Sequence, residues 1–282
     1  MVVAALLSCK KSSTQPAVPA GFAKTPQNIA ITGGSIPEAS GIADSKKNPG
    51  FLWVEEDSGN PALIYLLGHD GQKGKGIPLE NATNRDWEDI ALASGPEAGT
   101  DYIYLADIGD NNLAAETYLI YRFPEPSASA DNISEYDALH FVYPDAPHNA
   151  EGFIVDPNTK DIYIFTKNDT KSKIFRLPFP QPTSGVDTAE YVADLPFTGV
   201  VSAAISATGD EIILKTYTTL YYYQRSSGEQ IATALARTPT TLGYQLEAQG
   251  EAVCFANDNS GFYTLSEMRN NEPVTLNFYK RN

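Results

Sequence analysis

The segment Ala150-Glu151-Gly152-Phe153-Ile154-Val155-Asp156-Pro157 decides the fold, because its pattern of one polar residue followed by a short apolar strand recurs along the chain. Four other segments repeat this pattern, and they begin at Ala39, Trp87, Val201 and Gly250. When the five segments are aligned, successive polar positions lie 48, 63, 51 and 49 residues apart. A period near fifty residues with several short strands per unit is typical of β-propellers, in which each repeat forms one blade.

Composition also favours an all-β protein. The 282 residues include 16 Tyr and 12 Phe but only 2 Met and 2 Trp, a balance that favours strands over helices. The 21 Gly and 19 Pro are spread along the chain, as expected for turns between many short strands. A net charge of −15 argues against a nucleic-acid-binding protein, because the phosphate backbone would be repelled.

Each repeat predicts a blade of four antiparallel strands, and the unit is clearest between residues 151 and 177. The segment 28–32 has no unit of its own, so we expect it to supply the outer strand of the last blade and close the ring. We therefore predict a single all-β domain over residues 25–282, a five-bladed β-propeller. Six blades are an alternative if a degenerate blade lies in the long step between Glu88 and Glu151. Three of the fourth strands are predicted at residues 138–143, 189–195 and 230–237.

Residues 1–24 are predicted to lie outside the propeller. Leu6-Leu7-Ser8-Cys9 is similar to a bacterial lipobox, whose cysteine is lipidated after cleavage, and the Ser-, Pro- and Gln-rich segment after it predicts a flexible tether. The apolar run before Cys9 is too short to span a bilayer. We expect an exported lipoprotein of the bacterial cell envelope, in the periplasm or at the cell surface, that contacts the membrane only through its lipid. The alternative is an apolar N terminus without that role.

The recurring polar residues predict a metal site. In a propeller the first strand of each blade lines the axial channel, so equivalent residues of the five strands meet in a ring. Carboxylates about 5 Å apart repel by roughly 3 kcal/mol per pair, so such a ring needs protons or a cation. Oxygen ligands in a flexible shell suit Ca²⁺ better than Mg²⁺. We predict an axial calcium ion, the alternative being unrelated polar residues that face solvent. The predicted ligands are Ser40, Glu88, Glu151, Ser202 and Glu251.

The same five segments resemble the calcium-dependent apyrase (calcium-activated nucleotidase) family, whose five-bladed propeller holds an axial calcium ion with Glu and Ser residues. The family order Ser, Glu, Glu, Ser, Glu matches these five positions in chain order. The chain also resembles the SdiA-regulated propeller proteins through its Glu-Gly-hydrophobic segments. The resemblance spans about residues 36–280 and implies the fold and the calcium ion. Nucleotidase activity would require a basic mouth around the polyphosphate, whereas basic and acidic residues alternate here.

Charged residues near the strand ends are predicted to surround the mouth of the channel. The densest run is Asn84–Asp89, which would place Arg85, Asp86 and Asp89 around Glu88. In the alternative interpretation, Trp87 packs between blades and these acids are solvated. The predicted mouth residues are Glu56, Asp57, Arg85, Asp107, Asp110, Lys167, Lys215 and Glu267.

Two functions from different classes fit these observations. The first is a monomeric binding module, with calcium as a structural ion and a small-molecule, glycan or protein ligand at the mouth. The second is a calcium-dependent hydrolase of phosphate or other esters at the same mouth. The sequence contains no Gly-x-Ser-x-Gly nucleophile elbow and no histidines at metal-binding spacing, so it leaves open whether the protein is an enzyme.

Overall fold

The computed structural model describes residues 21–282, which form five antiparallel sheets whose inner strands contact one another in a closed cycle. The predicted five-bladed β-propeller is confirmed. The six-bladed alternative is wrong, because the described strands between Glu88 and Glu151 all belong to the second blade. Cys9 and the tether up to residue 20 lie outside the described residues.

Each blade has four antiparallel strands, of which the first lies nearest the axis, and residues 187–188 add a short parallel fifth strand to the outer edge of blade two. In chain order, the strands are β1 (Gln27–Ala30), β2 (Ala39–Asp44), β3 (Phe51–Glu56), β4 (Leu63–Gly68), β5 (Lys73–Pro78), β6 (Trp87–Ser94), β7 (Asp101–Asp107), β8 (Tyr118–Pro124), β9 (Asp137–Val142), β10 (Ala150–Val155), β11 (Ile162–Thr166), β12 (Lys173–Leu177), β13 (Asp187–Thr188), β14 (Glu190–Asp194), β15 (Val200–Ile205), β16 (Glu211–Thr216), β17 (Leu220–Gln224), β18 (Thr240–Thr241), β19 (Gly250–Phe255), β20 (Gly261–Ser266) and β21 (Thr275–Lys280). The inner strands are β2, β6, β10, β15 and β19.

The N-terminal strand closes the ring, as predicted. β1 pairs antiparallel with β21, the last strand of the chain, in the register Gln27↔Phe278 to Ala30↔Thr275. Without β1 the fifth blade would have three strands and an unpaired outer edge, which is an aggregation hazard in β proteins. Closure therefore joins the two ends of the described chain through one sheet.

One predicted strand is wrong. Residues 230–237 were expected to form the fourth strand of blade four, but Ile231–Leu235 form a short helix, α1. Alanine and leucine are strong helix formers, and the apolar residues fall at the i, i+3 and i+4 spacing of a helix face. All three of these side chains, Ile231, Ala234 and Leu235, are buried. The strand comes later, as β18, which pairs with Tyr221 and Tyr222 of β17.

The core consists of five apolar clusters, one at each interface between neighbouring blades. Two consecutive residues of every inner strand contribute to it. The first apolar position is occupied by Ile42, Ile90, Phe153, Ala203 and Val253, and the second by Ala43, Ala91, Ile154, Ala204 and Cys254. Side chains of consecutive strand residues point to opposite faces, so the second position of one blade packs against the first position of the next.

We predict that closure by β1 is needed for stability. A chain that starts at residue 33 loses the pairing of β1 with β21, which comprises four residue pairs, and the packing of Phe22 against Phe262. Its melting temperature should fall by about 5–10 °C, because burial worth about 3–5 kcal/mol is lost and each kcal/mol corresponds to about 2 °C in a domain of this size. A chain that starts at residue 21 is the control and should melt within about 2 °C of the full-length protein. Equal melting of the two truncated chains would contradict the closure.

Candidate functional site

A β-bulge interrupts every inner strand at the same place, so one extra residue faces no partner on the second strand. Bulges often lie beside functional sites because they redirect a side chain. The bulge residues are Ser40, Glu88, Glu151, Val201 and Glu251. Four of the five predicted ligands therefore occupy equivalent positions at one end of the channel.

The fifth predicted ligand lies one residue away from the bulge. In blade four the register shifts between Val200 and Ser202, which makes Val201 the bulge residue. Ser202 is equivalent to Asp89 of blade two, and its hydroxyl donates to the Asp89 carboxylate at 3.2 Å. The sequence alignment of Ser202 with the three glutamates was thus wrong by one position. A bulge has no signature in residue type, so the pattern of polar residues alone selects Ser202, which lies one residue after the bulge position Val201.

Three carboxylates converge at the bulge end of the channel. Asp57, Asp86 and Glu88 each offer an oxygen, and the three oxygens lie within 4.8 Å of one another. Gly109 forms one wall of this cluster, because a Cβ atom there would lie 2.0 Å from Glu88 Oε1 and 2.4 Å from Asp86 Oδ2. Glu88 is buried, while Asp57 and Asp86 are half-buried and reach solvent. We call these three residues, together with Glu151, Glu251 and Glu267, the acidic mouth.

One lysine partly compensates the charge of the acidic mouth. The Lys167 ammonium forms an ion pair with Glu151 Oε1 and lies 3.9 Å from Glu251 Oε1. Tyr217 donates its hydroxyl proton to Glu251 and accepts a hydrogen bond from Lys167 at 3.0 Å. A single ammonium cannot neutralise six carboxylates, so the acidic mouth keeps an excess of negative charge.

Burial, followed by the neighbouring negative charges, raises the pKa values of several acids of the mouth. Burial, more than any other cause, raises the pKa of Asp57 to about 6. Burial and the neighbouring Glu151 raise the pKa of Glu88 well above its usual range. Burial also raises the pKa of Glu151, against the opposing effect of Lys167. Burial and Glu251 raise the pKa of Glu267 to about 9. These groups therefore hold protons at pH values where a solvated carboxyl is ionised.

Below the mouth, Asp89 closes the channel. Its carboxylate accepts hydrogen bonds from the backbone amides of Ile90 at 2.9 Å, Ala203 at 3.3 Å and Phe153 at 3.4 Å. The Ser202 hydroxyl, which donates to Asp89, accepts from the amide of Val253 at 3.2 Å. Asp89 thus connects three of the five inner strands, and Ser202 adds a fourth. We call Asp89 and Ser202 the plug.

Several buried polar atoms near the axis have no protein partner. They are Ser40 Oγ, Glu151 Oε2 and both carboxylate oxygens of Glu55. Glu55 lies on β3 opposite Gly41, where a Cβ atom would be 2.8 Å from Glu55 Oε1 and 2.6 Å from the amide of Ile90. Buried polar groups normally have partners, so these atoms mark places where a proton, an ion or water completes the structure.

The other predicted mouth residues have structural partners. Arg85 donates to the backbone oxygen of Gly109 at 2.7 Å and pairs with Asp107 at 3.1 Å. The Asp110 carboxylate accepts the amides of Ala114 and Ala115 and the Tyr118 hydroxyl, each at 2.9 Å, which orders its loop. Lys215 is fully buried and bonds to Tyr244 and Glu247 between blades four and five. Glu56 is buried beside Glu38.

Sequence reasoning did not assign a ligand role to Asp86, nor any role to Glu55 and Tyr217. A signal was present for the first two, since Asp86 lies in the acidic run directly before an inner strand and Glu55 in the acidic run at the end of β3. Residues of the run Asn84–Asp89 have different roles in the structure. Asp86 and Glu88 face the mouth, fully buried Trp87 packs between blades, and Asp89 enters the plug instead of the mouth.

No protein-family model matches the sequence, and no curated protein matches it either. Solved structures with similar folds include an auxiliary nutrient binding protein from Bacteroides thetaiotaomicron, with a TM-score of 0.49 and 13% identity over 92% of this chain. This chain spans 60% of that protein, which is less than two thirds of its length.

Two further solved structures are similar in the same way. A chain of a nidogen/laminin complex has a TM-score of 0.47 and 14% identity, with 81% of this chain and 72% of the other covered. Hydrazine synthase from Kuenenia stuttgartiensis has a TM-score of 0.43 and 11% identity, with 86% and 83% covered. Similarities this distant say nothing about family or function, so the five-bladed assignment rests on the strand order of this chain. Membership of the apyrase or SdiA-regulated families has no support from these comparisons.

We predict that Asp89 is among the costliest single side chains to remove. Asp89→Ala leaves three amides and one hydroxyl without their acceptor, and should lower the free energy of unfolding by about 3–5 kcal/mol. Asp89→Asn keeps one acceptor oxygen and should cost less than half as much. Urea denaturation measures both. The control Asp131→Ala changes an exposed residue and should stay within about 0.5 kcal/mol. Equal stability of Asp89→Ala and the control would overturn the plug.

The raised pKa values predict that the metal-free protein loses stability as pH rises. The folded pKa of Asp57 is about 6 and that of Glu267 about 9, both above the unfolded values near 4, so the folded state binds more protons. Their contribution is complete below pH about 4 and is lost as pH rises through about 6 to 9. The melting temperature in chelator should therefore fall between pH 5 and pH 9.

The double variant Asp57→Asn, Glu267→Gln tests the origin of this effect. It removes two of the titrating groups and should flatten the pH dependence of melting. A melting temperature that rises from pH 5 to pH 9 in the unaltered protein would show that the sign is wrong.

Proposed function

We propose that this protein is a calcium-dependent binding module whose ligand binds at the acidic mouth. The observation that carries the proposal is the convergence of Asp57, Asp86 and Glu88, whose oxygens lie within 4.8 Å of one another at the end of the channel. Calcium–oxygen distances of about 2.3–2.6 Å place two ligand oxygens up to roughly 5 Å apart, so one ion fits between these three carboxylates.

The surrounding residues suit a hard, doubly charged cation. Glu151 Oε2 and Ser40 Oγ are buried without partners, and they belong to the predicted axial ring. Val201 contributes no oxygen, and the Ser202 hydroxyl is engaged by Asp89 and Val253. We therefore propose a ligand set shifted from the ring toward blades one and two, with Asp57, Asp86 and Glu88 as primary ligands and Glu151 beside them. Bound calcium would supply the positive charge that Lys167 alone does not.

The mouth is better suited to binding than to nucleotide hydrolysis. Six carboxyl groups surround one lysine that is already paired with Glu151, and Arg85 is occupied by Asp107 and Gly109, so a polyphosphate would find no free cationic side chain among these residues. Asp57 and Asp86 reach solvent, which leaves room for a small-molecule, glycan or protein ligand to contact the ion directly. A hydroxyl- or carbonyl-rich ligand could share its oxygens with such an ion, as hard cations prefer.

Titration of metal-free protein with calcium chloride tests the cation site. Isothermal calorimetry should give about one calcium ion per chain, and the melting temperature should rise when calcium is added and fall again with chelator. Glu88→Gln removes a primary ligand charge and should weaken binding at least tenfold, because a buried charged partner is worth about 1.5–3 kcal/mol. Glu97→Gln, an exposed change on the β6–β7 loop, is the control. No heat and no shift in melting would end the proposal.

Glu151→Gln distinguishes the binding module from the calcium-dependent hydrolase of phosphate or other esters. If the ion is structural, this variant should melt lower in calcium. If the ion is catalytic, melting should change little while turnover of an ester such as p-nitrophenyl phosphate or p-nitrophenyl acetate is lost. We expect the first outcome, together with no calcium-dependent turnover by the unaltered protein.

We also propose that the chain is exported and lipidated at Cys9, on the strength of the segment Leu6-Leu7-Ser8-Cys9. Among residues 21–282, no helix is long and apolar enough to cross a membrane. Expression in a Gram-negative host with radiolabelled palmitate should label the protein, and Cys9→Ser should abolish the label and release the protein from the membrane fraction. Equal labelling of Cys9→Ser would refute lipidation at this residue.

A further inference from the structure

The channel contains a cavity at the end opposite the acidic mouth. Its volume is about 260 Å³, and the C-terminal halves of all five inner strands line it. The first apolar position contributes its side chains, from Ile42 in blade one to Val253 in blade five. The plug residues Asp89 and Ser202 lie immediately before this position in blades two and four, and their hydrogen bonds to the amides of Phe153, Ala203 and Val253 place them between the cavity and the acidic mouth. Polar and charged side chains, among them Asp44, Lys46 and Asp101, also line the cavity. We call it the apolar funnel after the apolar side chains of the inner strands.

The funnel exists because the side chains near the axis are small. The second apolar position holds Ala43, Ala91, Ile154, Ala204 and Cys254, and only one of these is a large side chain. Further from the axis the same interfaces are filled with aromatic and branched side chains. If these four small residues were leucines, their side chains would fill most of the funnel at the packing density of a normal protein interior.

Backbone groups add neutral hydrogen-bonding capacity to the wall. The amides of Ser45, Asp156, Ser206 and Ala256, just after the inner strands, donate to the second strand. In an antiparallel ladder, alternate residues direct their backbone groups to the partner strand. The residues that precede these four therefore direct their N–H and C=O groups toward the axis; they are Asp44, Val155, Ile205 and Phe255. The amides of Phe153, Ala203 and Val253 face the axis in the same way, where the plug accepts them.

The charged side chains of the funnel are already paired with one another. Asp44 binds His69 Nε2 at 2.7 Å and the amide of Asn257 at 2.7 Å. Lys46 at the rim pairs with Asp101 at 2.8 Å. By contrast, Ser94 Oγ is buried without a partner. A charged ligand would have to break one of the existing pairs, whereas a neutral hydroxyl or amide could bond to Ser94 or to the free backbone groups.

We propose that the apolar funnel binds a small, neutral and mainly apolar molecule that carries one hydrogen-bonding group. An apolar cavity of about 150 Å³ stays dry and accommodates benzene, so the larger funnel has space for a substituted aromatic ring or a short branched chain. The apolar floor holds the body of the molecule, and Ser94 or an inner-strand backbone group receives its polar end. The site is independent of calcium, because the plug separates it from the acidic mouth.

The chemical selectivity of the unaltered protein provides the first test. p-Cresol, benzoate and benzylammonium present the same ring with a neutral, a negative and a positive group. Saturation-transfer NMR at neutral pH should show binding of p-cresol, and titration should show binding of both charged probes at least about tenfold weaker, because a buried unpaired charge is costly. Binding of p-cresol should be the same in calcium and in chelator. Absence of p-cresol binding, or equal affinity for the three probes, would overturn the proposal.

Variants locate the bound probe. Ala91→Leu and Ala204→Leu each narrow the funnel from a different blade and should weaken p-cresol binding at least about fivefold. The control Ala114→Leu makes the same change on an exposed loop at the other end of the channel. Ser94→Ala removes the hydroxyl without adding bulk, and should weaken p-cresol more than toluene. Unchanged p-cresol affinity in folded Ala91→Leu or Ala204→Leu would place the probe elsewhere and refute the site.

Discussion

The propeller depends on how its inner strands satisfy the backbone groups that face the axis. Each inner strand pairs on one side only, so alternate amides point toward the axis and away from the second strand. Asp89 accepts three of these amides directly, and Ser202 accepts a fourth while donating to Asp89. Two short polar side chains, Asp89 and Ser202, therefore connect four blades. The close approach of neighbouring strands requires glycine at the equivalent position in blade one, where a Cβ atom of Gly41 would meet the amide of Ile90 at 2.6 Å.

The plug divides the channel into two chemically different ends. On one side the bulges direct glutamate side chains into a common space, where burial and neighbouring carboxylates raise the pKa values of Glu88 and Glu151. On the other side small apolar residues leave a funnel with neutral backbone groups in its wall. A bulge and an alanine are minor features of one strand. Fivefold repetition around an axis turns them into a charged site and an apolar cavity.

The acidic mouth illustrates how a repeated fold concentrates one kind of charge. Glu88, Glu151 and Glu251 are far apart in sequence, and each would be unremarkable at the end of an isolated strand. Closure of the ring brings them together with Asp57, Asp86 and Glu267, at a cost in repulsion that protons, Lys167 or a cation must offset. The proposed calcium ion and the protons that the raised pKa values imply are thus alternative answers to the same electrostatic requirement.

The sequence by itself determined the number of blades, the strands of most repeats, the closing strand and the convergence of Glu88, Glu151 and Glu251. It could do so because strand periodicity and a repeat near fifty residues are local properties of the chain. Only the tertiary structure decided that Val201 and not Ser202 occupies the bulge, that Ile231–Leu235 form a helix, and that Asp89 joins the plug while its neighbour Glu88 joins the mouth. A bulge shifts a side chain from one layer to the next without any change in residue type, so these assignments depend on contacts between blades that no single repeat encodes.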